Sequence, residues 1–415
     1  MTARTTDVQR TLEAVWRIEG ARVVASLARM VGDIGLAEDL AQDAVVDALA
    51  QWPEAGVPRN AAAWLTAVAR RKAIDGWRRR ERLDERYRAM AYDLTQEAPG
   101  PTDAWEPIDD DLLRLVFTAC HPVLGREAQV ALTLRVVGGL TSEEVARLFL
   151  VPVPTMQQRI VRAKKTLAAA RVPFETPPPE EWAGRLAGVL SVVYLVFTEG
   201  YSATAGDQWL RHDLASEALR LGRILAGLTP QEPEVHGLVA LMEFQASRFP
   251  ARLAPDGSPV LLADQDRTRW DRSQITRGVQ ALARADALGR GRGNYTLQAA
   301  IAQCHSTAPS VEDTDWDRIV LLYEALATLT SNPIVELNRA VAVSMASGPE
   351  PALEIVDALA DAGSLPRSHL LPSVRGELLA RLGRMEEARA DLTTAAALAQ
   401  NARVREVLLA RARAL

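Results

Sequence analysis

Arg159, Arg162, Lys164 and Lys165 lie close together along the chain, next to Thr155, Gln157 and Gln158. Side chains of these types hydrogen-bond base edges and phosphates, so the chemistry they offer is nucleic-acid binding. Arg159 and Arg162 could each read guanine bidentately or grip a phosphate, and spacing alone leaves both options open. A second set, Asp264, Asp266, Asp271, Asp313 and Asp315, consists of hard oxygen donors of the kind that hold magnesium or calcium. No nucleophile with an adjacent base and no phosphate-cradling glycine loop accompanies them. The motifs containing them, DQDRTRWD with Arg267 and Trp270 and DTDW with Trp316, together with a third polar motif, GYSATAGD with Asp207, therefore read as an ion network between helices rather than an active site. His121 follows Cys120, but no further cysteine or histidine stands at zinc-site spacing. The expectation is no catalytic residue, no metal and no cofactor.

The elements that must position the cations are legible. Thr141 with Glu144 three residues later forms a capping box, and Val145, Leu148 and Phe149 continue an apolar stripe at helical spacing. Pro152 and Pro154 cannot lie within one continuous helix, so the spacing predicts a turn near 150–154 and a second helix starting around Thr155. On that helix Met156, Ile160, Ala163 and Leu167 share one face, and Thr155, Gln158, Arg159 and Arg162 another. Two further stripes, at 112–120 and 128–136, would pack beneath this helix-turn-helix.

The chain has 415 residues, enough for two or three domains, and two cysteines, too few for a disulfide framework. No signal-peptide core opens it, and the apolar run 186–197 is shorter than a bilayer requires. A cytoplasmic location without membrane attachment is expected. The net charge is -5, yet residues 1–172 are nearly balanced while the acidic surplus falls after Val172. Local clusters count for more than totals when phosphates are the partner. Arg70, Arg71, Lys72, Arg78, Arg79, Arg80 and Arg82 are opposed only by Asp75 and Glu81. Trp64 and Trp77 accompany that cluster and could stack on bases, although core packing is the stronger expectation for Trp64. Before it, the segment Ala37–Leu49 predicts a helix that buries Leu40, Ala44, Val45, Ala48 and Leu49. Asp39, Asp43 and Asp47 then stack at like-charge i,i+4 spacing, which a cationic partner surface would relieve.

A proline-punctuated acidic stretch, TQEAPGPTDAWEPIDDD, separates this block from the helix-turn-helix and reads as an exposed connector. In this order the parts resemble the two conserved regions of extracytoplasmic-function sigma factors, the minimal class of the sigma-70 family, over roughly residues 10–172. AEDLAQDAVVDAL is similar to the helix laid on the clamp helices of the largest catalytic subunit of RNA polymerase. The resemblance implies core-polymerase contacts by Glu38, Asp39, Gln42 and Asp43. AAWLTAVARRKAIDGWRRR resembles the segment that reads and melts the -10 promoter element. The implied residues there are Arg59, Asn60, Trp64, Arg70, Arg71, Lys72, Trp77, Arg78, Arg79 and Arg80, with flipped bases received by the loop around Arg59 and Asn60. TSEEVARLFLVPVPTMQQRIVRAKKTL resembles the -35 reader, implying contacts by Thr155, Gln157, Gln158, Arg159, Arg162, Lys164 and Lys165. The chain departs from the family pattern at Leu150, which occupies the usual turn glycine, and at Pro152 and Pro154. The implied partners are promoter DNA and core polymerase, including the flap of its second-largest subunit.

Beyond VPFETPPP at 172–179 the pattern is helical again. Gly348 and Gly383 are separated by 35 residues, close to the tetratricopeptide period, and Ala388 would let two helices approach. Segments 217–241 and 278–302 are weaker copies. The expected architecture is all-α, with region 2 at 8–92, a linker at 93–110, region 4 at 111–172 and a tetratricopeptide-like extension at 180–415. The resemblance to a sigma-factor subgroup with such an extension implies regulation of activity, through Asp207, Asp264, Asp266, Arg267, Trp270, Asp271, Asp313, Asp315 and Trp316 contacting the sigma domains or polymerase. The competing reading is an operator-binding regulator with a sensing repeat domain, which leaves residues 37–80 unexplained.

Overall fold

The protein, seen as a computed structural model, is described for residues 3–80, 109–149, 151–201, 212–254, 260–399 and 402–415. Most of the acidic connector, Leu150, Arg82 and Asp207 lie outside the described residues. Among the described residues the regular structure is eighteen α-helices and three short 3-10 turns, with no β-strand. The all-α expectation is met. Two compact units divide the chain, Met1–Val196 and Phe197–Leu415.

The first unit begins with α1 (Ala3–Val31), α2 (Ile34–Ala55) and α3 (Ala61–Arg80), which pack on one another. Asp33 caps α2 by accepting from the backbone N–H of Gly35 and Leu36, and Gly56, at a φ of 84°, ends it. Ala37, Leu40, Ala41, Ala44 and Ala48 face inward, and the small side chains let neighbouring helices approach closely. Two residues of the expected stripe fall elsewhere. Leu49 is 42% exposed and Val45 is half-buried, because one helical turn after Ala48 the large ring of Trp52 closes the core in their place.

Four more helices follow: α4 (Asp109–Ala119), α5 (Arg126–Val136), α6 (Ser142–Leu148) and α7 (Val153–Ala169). The capping box at Thr141 is complete. Its hydroxyl accepts from the Glu144 N–H at 3.1 Å, and the Glu144 carboxylate accepts from the Thr141 N–H at 2.7 Å. The second helix starts two residues earlier than its sequence suggests, at Val153, with Pro152 at the cap and Pro154 within the first turn. A first-turn proline lacks only an N–H that would have no helical partner anyway.

Next, α8 (Pro179–Tyr201) is long and apolar enough in composition to span a membrane, more than the run 186–197 suggested. Its residues Val189, Leu190, Val192, Val193, Val196 and Phe197 are buried within the protein. At its start the Trp182 ring packs on Phe117 of α4 at 5.1 Å, and Arg185 donates to the Phe117 carbonyl at 3.2 Å. The border between the two units falls inside this helix, at Val196.

The second unit continues with α9 (His212–Leu228), α10 (Pro233–Ser247), α11 (Arg272–Ala287), α12 (Asn294–Thr307), α13 (Trp316–Leu329), α14 (Pro333–Ala346), α15 (Pro349–Asp361), α16 (Leu370–Arg381), α17 (Met385–Leu398) and α18 (Ala402–Ala414). Each packs on the next in chain order. The turns before α15 and α17 are made by Gly348 and Gly383, at φ of 97° and 78°, the left-handed region that glycine enters without strain. Gly237 of α10 lies so close to α12 that a Cβ there would meet the Thr296 hydroxyl oxygen at 2.4 Å.

Candidate nucleic-acid interface

Met156, Ile160, Ala163 and Leu167 of α7 are all buried, as their spacing predicts. Burying each of the three larger ones stabilises the fold by roughly 1.5–3 kcal/mol, which fixes the rotation of α7 about its axis. Thr155, Gln157, Gln158, Arg162 and Lys165 are consequently left exposed. Arg159 is half-buried and pairs with Glu127 of α5 at 2.8 Å. Between the start of α5 and this face lies a groove of about 560 Å³ lined by Arg126, Glu127, Thr155, Gln158, Arg159 and Arg162. The three guanidinium groups and the N-terminus of α5 make a setting that favours anions. Lys164 is placed apart from these residues. It is directed to α2, where it pairs with Glu38 and, at 3.1 Å, with Asp39.

The basic helix α3 divides along its length. Arg70 is partly buried and donates to the Ser26 hydroxyl at 3.1 Å. Burial, then the neighbouring Arg29, hold its pKa below the ordinary arginine value, against the opposing pull of Asp111. Arg71 is exposed, whereas Lys72 pairs with Asp47 of α2 at 3.0 Å. Trp64 is half-buried and meets the buried Trp52 edge-on, with ring centroids 5.4 Å apart. Asn60 caps α3 by accepting from the Ala63 N–H at 3.0 Å, and Arg59 beside it is exposed. The side chains of Trp77, Arg78, Arg79 and Arg80 lie outside the described residues.

On α2, Asp39 and Asp43 are exposed, Gln42 is half-buried and Glu38 is buried. Glu38 accepts from Arg135 of α5 at 2.6 Å and pairs with Lys164, so its carboxylate lies between two cations from helices far along the chain. Sequence reasoning missed Arg135. Its signal was present, because it is a single charge within the apolar run VALTLRVV. Arg29 and Asp111 went unnoticed in the same way. They meet at 3.1 Å, with the Asp111 side chain only 5% exposed.

The acidic motifs of the second unit serve mainly as helix caps. Asp266 accepts from Thr268, Asp271 caps α11 through the N–H groups of Ser273 and Gln274, and Asp315 caps α13 through that of Arg318. Asp313 accepts from the Ser310 hydroxyl and Asp264 is exposed. Arg267 is buried, donates to the carbonyls of His305 and Ala308 and to the Thr314 hydroxyl, and lies 5.1 Å from the centre of the Trp270 ring. Trp316 donates its indole N–H to the Val311 carbonyl and meets His305 edge-on. Among the described residues no group of three or more histidine, cysteine or acidic side chains could hold a metal ion. Cys120 is buried against Thr133, and burial pushes its thiol up to about 11.

Comparison with known proteins separates the nucleic-acid readings. Residues 16–83 match the family model of sigma-70 region 2, and residues 114–167 that of sigma-70 region 4. A probable ECF RNA polymerase sigma factor, SigI of Mycobacterium tuberculosis, is 27% identical over 173 residues, covering 41% of this chain and 58% of its own. The chain belongs to the extracytoplasmic-function sigma factors of the sigma-70 family. Region 2 of this sigma factor lies on α1–α3, and region 4 on α4–α7. Its C-terminal extension includes a stretch, 185–286, that matches a family of unknown function, DUF6596. An uncharacterized protein of Rhizobium meliloti (strain 1021), R00370, is 45% identical over 387 residues, covering 92% of this chain and 90% of that protein. The whole arrangement, extension included, therefore recurs in a second chain. No solved structure matches.

Proposed function

We propose that this sigma factor binds core RNA polymerase through region 2 and positions it on promoters by reading two elements. The acidic face of α2, with Asp39, Gln42 and Asp43, meets the clamp helices of the largest catalytic subunit. The basic face of α3 holds and melts the -10 element, and the exposed face of α7 reads the -35 element. The observation that carries this reading is on α7: Thr155, Gln157, Gln158 and Arg162 stand exposed because Met156, Ile160, Ala163 and Leu167 are buried beneath them. An α-helix presented in this way fits the major groove.

The work is binding and melting rather than bond chemistry, since the polymerase carries the catalytic centre. Arg71 and the terminal arginines of α3 supply phosphate contacts, and Arg162 supplies a base contact in the -35 element. Covalent linkage of two weakly binding blocks raises the effective concentration of the second once the first has docked. The protein acts in the cytoplasm, where its polymerase is. The extension regulates this activity in place of a separate anti-sigma factor. Its successive helix pairs, turned at Gly348 and Gly383, support a tetratricopeptide-like reading.

The deciding experiment mixes the full chain with sigma-free core polymerase and host genomic DNA and sequences the run-off transcripts. New starts sharing upstream elements near -10 and -35 are expected. A chain that fails to bind core polymerase yet retains a specific DNA site would instead be an operator-binding regulator.

A further inference from the structure

Region 4 is docked on region 2, and the residue at the centre of the contact is one that a sigma factor would present to polymerase. The Glu38 side chain is 5% exposed. One of its carboxylate oxygens accepts from Arg135 at 2.6 Å, and the other pairs with Lys164 of the DNA-reading helix. Lys164 is itself 15% exposed and reaches Asp39 as well. The backbones meet here too, since a Cβ built on Gly35 of α2 would stand 3.5 Å from the Lys164 Cβ. A second ion cluster lies elsewhere in the same contact, where Arg29 of α1 meets the buried Asp111 of α4, which Arg114 also holds at 2.7 Å.

A carboxylate shielded in this way is costly to leave unpaired, so Glu38 is held as long as both cations stay in place. While it is held, the acidic face of α2 lacks Glu38 and has Asp39 neutralised, and α7 lacks the cation at 164. Geometry adds a second incompatibility. Promoter elements centred near -10 and -35 lie on the order of 85 Å apart at ~3.4 Å per base pair. Folded blocks of this size have radii of gyration of about 11 Å, so two blocks in contact keep their centres roughly 25–30 Å apart. The chain between Arg80 and Asp109, drawn out fully, reaches on the order of 95 Å. The covalent connection therefore permits a separation that the docked arrangement forbids.

We propose that the Glu38–Arg135–Lys164 cluster is a latch that holds this sigma factor closed, with Glu38 of the polymerase-binding face taken up by region 4, and that engaging core polymerase requires the latch to open. The proposal rests on the sigma-factor reading and adds to it an intramolecular regulator distinct from the C-terminal extension. Core polymerase opens the latch by offering its own cations to α2, and DNA completes the opening by drawing α7 away. The latch consists of ion pairs that are not fully sequestered from water, so rising salt loosens it.

The test is a reversible staple in the full chain. Gly35→Cys with Lys164→Cys places two thiols at a Cβ separation suited to a disulfide. Copper–phenanthroline in air is expected to cross-link the double variant before any polymerase is added, and neither single variant should show that intramolecular bond. The cross-linked protein should lose at least ten-fold in core-polymerase binding and run-off transcription. Dithiothreitol should return both to the level of the same variant kept reduced. A Lys164→Glu chain, with two like charges facing Glu38, should show a larger radius of gyration in small-angle scattering than the wild type. A cross-linked protein that still binds core polymerase, or absence of the cross-link together with an unchanged radius of gyration in Lys164→Glu, overturns the latch. Failure of the wild type to bind core polymerase would overturn the sigma-factor reading on which the regulatory role depends, while the cross-linking yield would still report the docked contact by itself.

Discussion

Asp47 of α2 and Lys72 of α3 meet at 3.0 Å, each about one-third exposed, so the last of the three stacked aspartates is answered by the basic cluster of the next helix. A pair this open to solvent contributes at most about 1 kcal/mol. Asp47→Ala should lower the urea midpoint only slightly and leave the unfolding slope unchanged, and added salt should shrink even that difference.

Two substitutions in α7 should separate folding from reading. Met156 is fully buried, and Met156→Ala should cost about 2–5 kcal/mol of stability, seen as an early thermal transition. Arg162 is exposed, and Arg162→Ala should leave the melt unchanged while weakening binding to a -35 duplex by about 1–3 kcal/mol. Equal loss on every DNA sequence would mark Arg162 as a phosphate contact instead of a base reader.

Glu243 of α10 is 1% exposed and lies between Arg223 of α9, at 2.5 Å, and Arg277 of α11, at 3.2 Å. Removing the central carboxylate strands both guanidinium groups. Because those arginines are nearly half exposed, water can recover part of what they lose, and Glu243→Ala should cost about 2–4 kcal/mol in chemical denaturation.

His305 should make the second unit acid-sensitive. Burial, then the neighbouring Arg248 and Arg267, lower its pKa to about 4. The unfolded chain, with an ordinary histidine near 6.5, binds that proton at higher pH than the folded one does. Stability is therefore complete above about pH 6.5 and falls as the pH drops towards 4, by on the order of 3 kcal/mol. His305→Gln should flatten the profile in that window when the unfolding free energy is measured against pH.

The helical design was readable because its signals are local. The buried stripe of α7, the capping box at Thr141 and the positive-φ turns at Gly348 and Gly383 each depend on residues a few positions apart. The surroundings of Glu38 were not readable in the same way. Its partners lie about a hundred residues further along, and no periodicity announces which charge a folded chain will bring to which. Leu49 yielded its expected place to Trp52, since the packing of three helices, not the hydrophobicity of one residue, determines where a stripe is closed. The acidic motifs around Asp266, Asp271 and Asp315 read as a shared network and proved to be separate caps, because an aspartate before a helix satisfies its N–H groups without any charged partner.

The packing of Trp182 and Arg185 on Phe117 bears on where such a protein can end. A stop codon placed directly after region 4 would not yield a minimal sigma factor. It would bare one flank of α4 and strip the Phe117 carbonyl of its donor. Gene variants that shed the extension would keep an intact DNA-reading domain only by retaining the first turns of α8, or by replacing Phe117 with a side chain that tolerates water.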